Sequence, residues 1–448
     1  MSFPRYPKYK DSGVEWLGEV PTHWELRKLK HIASFVGGGT PSRERPDYWN
    51  GNTPWVSPKD MKSERITETE EAITMDGLAN STATLIPPQQ VLMVVRSGIL
   101  KHTIPVAIND VPVALNQDVK AISFLTDFCI SSYFLRWVQG LNDSLLNAWA
   151  KQGATVESLE SEYLTNTVIA LPTLSEQSAI TAFLDCETTK IDELVAEQER
   201  LIELLKEKRG AVISHAVTKG LNPDAPMKPS GVEWLGEVPA HWEVKKLKHV
   251  SPELTVGIVV EPSKLYVDEG VPALRSLNVR AGEISLDNMV FITHTGHKIH
   301  SKSRLRAGDI VAVRTGQPGA AAVIPLELDG CNCIDLIVIR KPIIGSERFL
   351  CWYFGSDSAL GQFAVGSGGA IQQHFNISTA AELIIPVPPA ADQIRIAAFL
   401  DATTAKFDAL TAEAQRAIEL LQERRTALIS AAVTGQIDVR AIAGRAAA

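Results

Sequence analysis

The stretch SGVEWLGEVPTHWELRKLKHI at Ser12–Ile32 occurs a second time, as SGVEWLGEVPAHWEVKKLKHV at Ser230–Val250, with 17 of 21 positions identical. A second stretch is also duplicated, because Pro172–Thr218 matches Pro388–Thr434 at 26 of 47 positions. The long segments between these copies barely resemble each other. The repeat is far longer than the roughly 20–50 residues of a solenoid unit. The sequence therefore predicts one duplicated scaffold that presents two different surfaces.

The second duplicated stretch predicts two long amphipathic helices, at Glu176–Thr218 and Asp392–Thr434. The apolar stripe of the first helix consists of Ile180, Leu184, Ile191, Leu194, Leu201, Leu205 and Val212. The stripe of the second consists of Ile396, Leu400, Phe407, Leu410, Leu421 and Leu428. A single helix of this length would leave its stripe in water, so we expect the two to pair as an antiparallel intramolecular coiled coil. The alternative is that each helix packs on its own globular domain.

The segments between the repeats, Ala33–Leu171 and Ser251–Val387, contain short β-rich runs, helical patches and frequent Gly and Pro. Each is predicted to be a compact α+β domain. Arg96-Ser97-Gly98 and Arg314-Thr315-Gly316 each follow a β run and keep an offset of 218 residues. The two inserts are therefore expected to share a fold while their surfaces differ.

The predicted fold class is α+β, with two α/β domains separated by two long helices in a pseudo-twofold duplicated chain. The first domain with its repeat segment is expected at 1–171 and the first helix at 172–220. The second domain with its repeat segment is expected at 221–387, the second helix at 388–436 and a tail at 437–448. One repeat segment begins the chain and one helix ends it. Approximate twofold symmetry then follows if the two ends lie close together.

Composition restricts the class of protein. A formal net charge of −8 disfavours unselective nucleic-acid binding, which depends on a basic surface. No apolar run is long enough to span a membrane, and the first residues lack the apolar core of a signal peptide. The five cysteines form no pattern typical of a zinc site. We expect a reduced, cytoplasmic protein whose cysteines are mostly buried.

No catalytic residues and no metal ligands are predicted. The chain lacks the GxxxxGK[ST] phosphate loop, a GxGxxG motif between strand and helix, and the GxSxG nucleophile elbow. His294, His297 and His300 lie close together, but no carboxylate or cysteine accompanies them at ligand spacing. They are interpreted as part of a polar loop or of a surface that faces DNA.

Both inserts contain side chains of the kinds that read bases, since Arg and Lys recognise guanine and Asn and Gln recognise adenine. The candidates in the first insert are Arg43, Arg45, Lys59, Lys62, Arg96 and Lys101. Those in the second are Arg275, Asn278, Arg280, Lys298, Lys302, Arg304, Arg314, Gln317, Gln372 and Gln373. Taken singly, each is more often an ordinary surface residue. Arg96 and Arg314 stand out because they recur, although they can equally brace the fold or hold a phosphate.

Four tryptophans occupy equivalent places in the first repeat: Trp16, Trp24, Trp234 and Trp242. One interpretation is a repeated surface for a partner protein, because tryptophan is enriched at interface hot spots. The other is that these side chains anchor the segment to the helices or to the inserts.

Together these stretches resemble the specificity subunit of type I restriction–modification systems. The motifs that carry the resemblance are VEWLGEVPTHWELRKL, GGGTPSRERPDYWNGNTPWVSPKDM, LPTLSEQSAITAFLD and LLKEKRGAVISHAVT, with the second copies LIIPVPPAADQIRIAAFLD and LLQERRTALISAAVT. The resemblance covers nearly the whole chain. Departures include PALRSLNV in place of PWVSPKDM, and Ala391-Asp392-Gln393 in place of Ser175-Glu176-Gln177.

The resemblance implies a non-catalytic subunit with two target-recognition domains, each of which reads one half of a bipartite double-stranded DNA sequence. The paired helices would set the gap between the halves. Two modification subunits would bind S-adenosylmethionine and methylate adenine, and restriction subunits would supply ATP- and Mg-dependent translocation and cleavage. This chain would hold no cofactor and, alone, would bind DNA weakly. The alternatives are a self-sufficient DNA enzyme with fused recognition domains, or a coiled-coil scaffold unrelated to DNA.

Overall fold

The computed structural model describes residues 3–151, 156–314, 320–366 and 376–440. The chain divides into two compact units. The first comprises residues 1–198 and 416–448, and the second comprises residues 199–415. Each unit therefore contains one copy of the repeated segment, one insert, and a part of both long helices. The sequence-based boundaries treat the helices as separate pieces, whereas the structure shares each helix between the units.

The two long helices extend over Leu174–Lys219 and Ala390–Val433. The predicted helices are thus confirmed to within two residues at each end. Within the first unit, Asp192 Oδ1 lies 3.1 Å from Arg425 Nε. Within the second, Asp408 Oδ1 lies 3.5 Å from Arg209 Nε. The residue numbers of both pairs sum to 617, so the helices are antiparallel with the same register in each unit.

The stripe that faces the partner helix differs in part from the predicted one. Leu194, Leu201 and Leu410 are exposed and do not belong to it. The buried and half-buried positions of the first helix instead follow a spacing of three and four residues through Leu184, Thr188, Ile191, Val195, Gln198, Ile202, Leu205, Arg209 and Val212. Those of the second follow it through Leu400, Thr404, Phe407, Thr411, Ala414, Ile418, Leu421, Arg425 and Leu428. This is the heptad pattern of a coiled coil, with several small or polar residues in it.

The first unit contains two small sheets and two separate strand pairs. One sheet has the order Ala33–Gly37, Val119–Phe124, Val91–Val94, Val106–Asn109 and Arg65–Ile66. The other has the order Ala72–Ile73, Trp49–Val56, Val113–Leu115 and Leu85–Ile86. The separate pairs are Tyr9–Asp11 with Glu19–Pro21, and Glu25–Lys28 with Val168–Leu171. Its short helices are Met75–Ala79, Ser131–Gly140, Asn142–Trp149 and Ser161–Asn166.

The second unit repeats this plan. One sheet has the order Leu254–Val256, Leu336–Ile339, Ile310–Val313 and Ala321–Val323. The other has the order Tyr266–Val267, Val290–Ile292, Val271–Leu274 and Asn332–Cys333. The separate pairs are Met227–Pro229 with Glu237–Pro239, Glu243–Lys246 with Ile384–Val387, and Val279–Arg280 with Glu283–Ile284. Its short helices are Leu247–Val250, His294–Ile299, Glu347–Phe354, Asp357–Gly366 and Ile377–Glu382.

The four strands Ala33–Gly37, Val119–Phe124, Val91–Val94 and Val106–Asn109 have the same order and directions as the four strands of the corresponding sheet in the second unit, which confirms that the inserts share a fold. Their strands are buried on both faces, as in Val91–Val94 and Ile310–Val313. Short helices pack against these sheets through Phe134 and Trp137 in the first unit and Phe349 and Trp352 in the second. The shared core explains why both inserts tolerate different surfaces.

In the first unit the repeated segment clamps the ends of both long helices. His23 Nε2 lies 2.8 Å from the Glu176 carboxylate at the start of the first helix. Trp24 is fully buried and packs on Gly435, which follows the second helix with a φ of +75°. A Cβ at Gly435 would lie 2.4 Å from Pro21 Cδ, so only glycine fits this approach.

The second unit has the same clamp with the helices exchanged. His241 Nε2 lies 3.0 Å from Asp392 Oδ2 at the start of the second helix. Trp242 packs on Gly220, which follows the first helix with a φ of +79°. The acid that replaces Glu176 in the second copy therefore keeps the same histidine partner.

The two chain ends meet within the first unit, which is the condition that the sequence analysis set for approximate twofold symmetry. The Asp438 amide donates to the Pro4 carbonyl at 2.7 Å. The Tyr9 hydroxyl donates to the Gly435 carbonyl at 3.0 Å. The Arg440 guanidinium lies over the Tyr6 ring, 4.8 Å from its centroid. The N-terminal segment thus completes the unit that contains the end of the chain.

Candidate DNA-recognition surface

An arginine–aspartate pair recurs at the same place in both inserts. Arg96 follows the strand Val91–Val94, and its Nε lies 2.5 Å from Oδ1 of Asp118, which precedes the neighbouring strand. Arg314 likewise follows a strand, and its Nη1 lies 2.9 Å from Oδ1 of Asp335. Each arginine is thereby fixed at the end of a sheet strand. The structure brings both predicted residues to equivalent sites and supports a bracing role alongside any contact with DNA.

A glycine loop lies beside the first of these pairs. A Cβ at Gly38 would lie 2.2 Å from the Leu115 carbonyl oxygen, so the loop approaches the turn at 115–118 closely. The Thr40 hydroxyl donates to Oε1 of Gln117, an exposed residue of that turn. Gln117 was not among the predicted base readers, although glutamine recognises adenine. Its position beside Arg96 makes it a further candidate.

The other cations of the first insert that were predicted to contact DNA fall into two groups. Arg43 forms two hydrogen bonds to the Glu71 carboxylate, at 2.5 and 2.8 Å, and lies 3.7 Å from the centroid of the Trp49 ring. Arg45 is bound in the same way by Asp47, and Lys62 lies 3.5 Å from Glu70. Lys59 and Lys101 are exposed and form no ion pair within the described residues.

These pairs change the charge that DNA would meet. The hydrogen bond from Arg43 holds the pKa of the Glu71 carboxyl below its ordinary value. The hydrogen bond from Arg45 does the same to the pKa of Asp47. Both carboxylates therefore stay ionised and neutralise their arginines. A phosphate would have to compete with them for these guanidinium groups.

Asn278 requires a correction, because its side chain is buried inside the second unit. Its Oδ1 accepts from the Arg275 amide at 3.0 Å, and its Nδ2 donates to the carbonyls of Ser285 and Asp287. All its amide groups thus hold a turn, and none is available to a base. Arg275 is half-buried and donates to the Asn288 carbonyl at 2.8 Å, whereas Arg280 is exposed.

The segment 294–306 of the second insert forms a basic patch. Lys298, Lys302 and Arg304 are exposed on the helix His294–Ile299 and the turns after it. None of the three forms an ion pair with another described residue. The pKa of His297 is lowered by burial and then by the nearby Arg304. This patch therefore offers free positive charge of the kind that contacts phosphates.

Three predicted base readers, Gln317, Gln372 and Gln373, lie outside the described residues. Among the described residues, no group of three or more His, Cys, Asp and Glu is arranged to hold a metal ion. None of the helices in the described ranges is both long and apolar enough to cross a membrane. Cys129, Cys331, Cys333 and Cys351 are buried and Cys186 is exposed.

The four tryptophans separate into two kinds. Trp24 and Trp242 are buried in the clamps, so the prediction that they bind a partner is wrong and the anchoring interpretation is confirmed for them. Trp16 is half-buried, with its ring 6.1 Å from that of Trp137. Trp234 is 45% exposed and keeps the predicted role open.

The repeated FLD motif has a role that the sequence did not reveal. Asp185 accepts from Arg136 of the helix Ser131–Gly140 at 2.8 Å. Asp401 accepts from Arg348 and from the Trp352 indole at 2.9 Å. Each aspartate thereby ties a long helix to the insert of its own unit. The repetition of the FLD motif was the signal in the sequence that pointed to this role. The arginines that bind the two aspartates, however, occupy different positions in the two inserts.

Parts of this chain are similar in sequence to known proteins. The family model for the type I restriction modification DNA specificity domain matches residues 21–204. The EcoR124I/EcoR124II specificity subunit of Escherichia coli is 34% identical over 206 residues, which cover 46% of this chain and 50% of that protein. The chain thus aligns with half the length of that relative. The MjaIX specificity subunit of Methanocaldococcus jannaschii is 23% identical over 94% of this chain and 95% of that protein.

Two solved structures share the fold over almost the whole chain. One comes from a study of complex assembly and conformational transition of the type I R-M system, with a TM-score of 0.71, 16% identity, and coverage of 92% of this chain and 98% of that one. The other is the HsdS subunit of Thermoanaerobacter tengcongensis, with a TM-score of 0.52, 15% identity, and coverage of 93% and 98%. These comparisons show that residues 21–204 match the type I restriction modification DNA specificity domain, and that almost the whole chain has the fold of these two solved structures.

Proposed function

We propose that this protein recognises a bipartite double-stranded DNA sequence, with each insert reading one half. The observation that carries the proposal is the pair of units with one common frame and different exposed polar groups. Arg96, which is paired with Asp118, and Gln117 and Lys101 are exposed in the first unit. Arg280 and the basic patch at 294–306 are available in the second. Different surfaces on one scaffold suit two different half-sites.

The long helices are proposed to set the gap between the half-sites. Each runs without interruption through both units, and the antiparallel register is the same in both. Residues 195–201 pair with 416–422 in the register whose numbers sum to 617. Each of these segments is one heptad. Deleting 195–201 together with 416–422 keeps the spacing of the buried positions and shortens each helix by about 10 Å.

The spacer role has a direct test. At a rise of roughly 3.4 Å per base pair, the paired deletion is expected to shorten the gap by about three base pairs. The gap is read by mapping methylated adenine after coexpression with the modification subunit. A deletion of 195–201 alone is the matched control, since it breaks the pairing and should prevent assembly. An unchanged gap in an active double deletion would refute the spacer role.

The chain is proposed to act without a catalytic site of its own. Two modification subunits would bind S-adenosylmethionine and methylate adenine, and restriction subunits would use ATP and Mg²⁺. Exposed leucines on the long helices, Leu194, Leu201, Leu204, Leu410 and Leu420, provide apolar surface that suits partner proteins. Since the net charge is −8, partners are expected to add phosphate contacts, and DNA binding by the chain alone is expected to be weak.

The primary experiment is coexpression with the modification subunit, followed by single-molecule sequencing of methylated adenine. A split motif with a fixed gap, absent without this chain, is the expected result. Exchange of the second insert for that of another specificity subunit should change only one half of the motif. Methylation without a split motif, from a complex that has formed, would contradict the proposal.

A further inference from the structure

The clamp of the second unit contains a cavity of about 200 Å³. Its wall includes Gly220, Pro239, His241, Trp242, Asp392 and Ile396. These residues belong to the repeated segment and to the two helix ends that this segment holds. The cavity is therefore part of the duplicated frame and lies apart from the polar groups that would face DNA.

In the first unit the corresponding space is filled by Tyr6. The Tyr6 ring lies 5.6 Å from the His23 ring and 5.9 Å from the Trp24 ring, centroid to centroid, and the residue is 4% exposed. The equivalents of His23 and Trp24, which are His241 and Trp242, line the cavity of the second unit. The first unit thus shows that an aromatic ring fits this frame.

The second unit lacks this ring because its sequence differs just before the conserved stretch. Tyr9 pairs with Pro21 in the first unit, and Met227 pairs with Pro239 in the second, so the offset of 218 residues continues into the hairpin. At that offset Tyr6 corresponds to Asp224, which is exposed. A short carboxylate in water does not fill a space shaped for a ring.

A second aromatic contact is missing beside the first. In the first unit Phe3 packs edge-on against Phe183 of the FLD motif, with ring centroids 5.5 Å apart, and Phe183 is 5% exposed. The equivalent Phe399 of the second unit is 42% exposed, and Leu221, at the offset of Phe3, is also exposed. Phe399 lies one turn beyond Ile396 on the same helix. The cavity and the exposed Phe399 together form a groove with two positions that can contact aromatic rings. A segment with aromatic side chains at positions i and i+3, like Phe3 and Tyr6 of the first unit, would contact both positions.

The carboxylate in the cavity wall, that of Asp392, already has cationic partners. Asp392 accepts from Arg395 at 2.5 Å as well as from His241. In the first unit Glu176 has the Arg440 guanidinium 3.8 Å away, and this group also covers Tyr6. Arg395 therefore supplies the cation from within the helix. Lys219, which also lines the cavity, donates to the Glu237 carbonyl, and aromatic side chains would bury Phe399 and the apolar part of the cavity wall.

We propose that this groove binds an extended segment of a partner protein that carries aromatic side chains at positions i and i+3. The partner is the modification subunit of the complex, an assignment that rests on the proposed function. A second copy of this chain is disfavoured as the occupant, because its own Phe3 and Tyr6 are already packed in its first unit. The two frames would then differ in how they hold their partners.

The first test uses the N-terminal segment of this chain, SFPRYPKYK, as a labelled peptide probe for the full-length protein. Saturable binding by fluorescence anisotropy is expected, and replacement of both Phe3 and Tyr6 of the peptide by alanine should abolish it. In the protein, Asp224→Tyr should place a ring in the cavity and lower peptide affinity at least tenfold. Phe399→Ala should lower it as well, and Asp224→Asn is the matched control with unchanged affinity. Absence of peptide binding would overturn the proposal.

The second test measures assembly with the modification subunit. Asp224→Tyr is expected to weaken assembly at least tenfold relative to Asp224→Asn, with an unchanged circular dichroism spectrum. Equal assembly of both variants would overturn the partner assignment. So would a concentration-dependent dimer, seen by light scattering, that Asp224→Tyr abolishes, since a second copy would then be the occupant. If the unaltered chain binds no modification subunit, both the partner assignment and the proposed function are overturned. Methylation mapping tests the proposed function separately.

Discussion

The two units have the same clamp but complete it differently. In the first unit the N-terminal segment adds Tyr6 and the chain end adds Arg440, so the clamp is filled from both termini. In the second unit the same frame borders a cavity. The inserts differ in a parallel way, since most cations of the first are paired with carboxylates and those of the basic patch in the second are not. Duplication preserved the frame, and divergence acted on what surrounds it.

The largest difference is expected when the clamp tryptophans are removed. Trp24→Ala should lower the free energy of unfolding by about 3–5 kcal/mol, the range for a buried large aromatic side chain. Trp242→Ala should cost roughly 3 kcal/mol at most, because Trp242 already borders a cavity and loses fewer contacts. Urea unfolding followed by circular dichroism measures both. A larger loss for Trp242→Ala would refute the asymmetry.

The second-largest difference in stability is expected when the glycines that follow the two long helices are replaced with alanine. Both have a positive φ, which costs an alanine about 1–2 kcal/mol. Gly435→Ala should cost about 3 kcal/mol in total, because its Cβ would also meet Pro21 at 2.4 Å. The Cβ of Gly220→Ala would lie 3.2 Å from the Trp242 ring and 3.9 Å from Pro239, so this change should cost about 1–2 kcal/mol. Equal costs in urea unfolding would show that the clamps are equally tight.

The inserts should differ in the salt dependence of DNA binding. Replacing Lys298, Lys302 and Arg304 with glutamine is expected to reduce the salt slope of the assembled complex by about 2–3, at roughly 0.9 per phosphate contact. The matched replacement of Arg43, Arg45 and Lys62 should reduce it by less than about 1, because carboxylates already neutralise these cations. Titrations of DNA at several salt concentrations provide the slopes. Equal slopes for the two variants would contradict the distinction.

The smallest difference is expected at the histidine–acid contacts. Burial alone would raise the pKa of Glu176, but hydrogen bonds from His23 and Thr173 outweigh it and hold the pKa below its ordinary value. Hydrogen bonds from Arg395 first, and from His241 second, lower the pKa of Asp392. A lowered carboxyl pKa stabilises the fold above the unfolded pKa, and this stability is lost as the pH falls through the folded pKa.

His23→Gln should therefore move the acid-unfolding midpoint to higher pH and cost about 1 kcal/mol at neutral pH. His241→Gln should change both quantities less, below about 1 kcal/mol, because Arg395 still binds Asp392. Acid titration followed by circular dichroism compares the two. A larger shift for His241→Gln would show that Arg395 does not hold the carboxylate.

Particular residues show why some sequence predictions failed. Leu194 and Leu201 were assigned to the helix seam, but the adjacent Val195 and Ile202 occupy it. Two neighbouring apolar residues satisfy a helical period almost equally well, and only the partner helix selects between them. Asn278 has the chemistry of a base reader, but burial among backbone carbonyls makes it structural. Residue type carries no information on such surroundings.

The amino-acid sequence alone was sufficient for the duplication, the two long helices, their antiparallel pairing and the common fold of the inserts. These follow from identity between the copies and from hydrophobic periodicity, which are local and can be read along the chain. Only the tertiary structure revealed the helix-end clamps, the recurrent arginine–aspartate pair and the cavity at Trp242. Each of these depends on side chains far apart in sequence, whose contacts are selected by packing and by the pairing of charges.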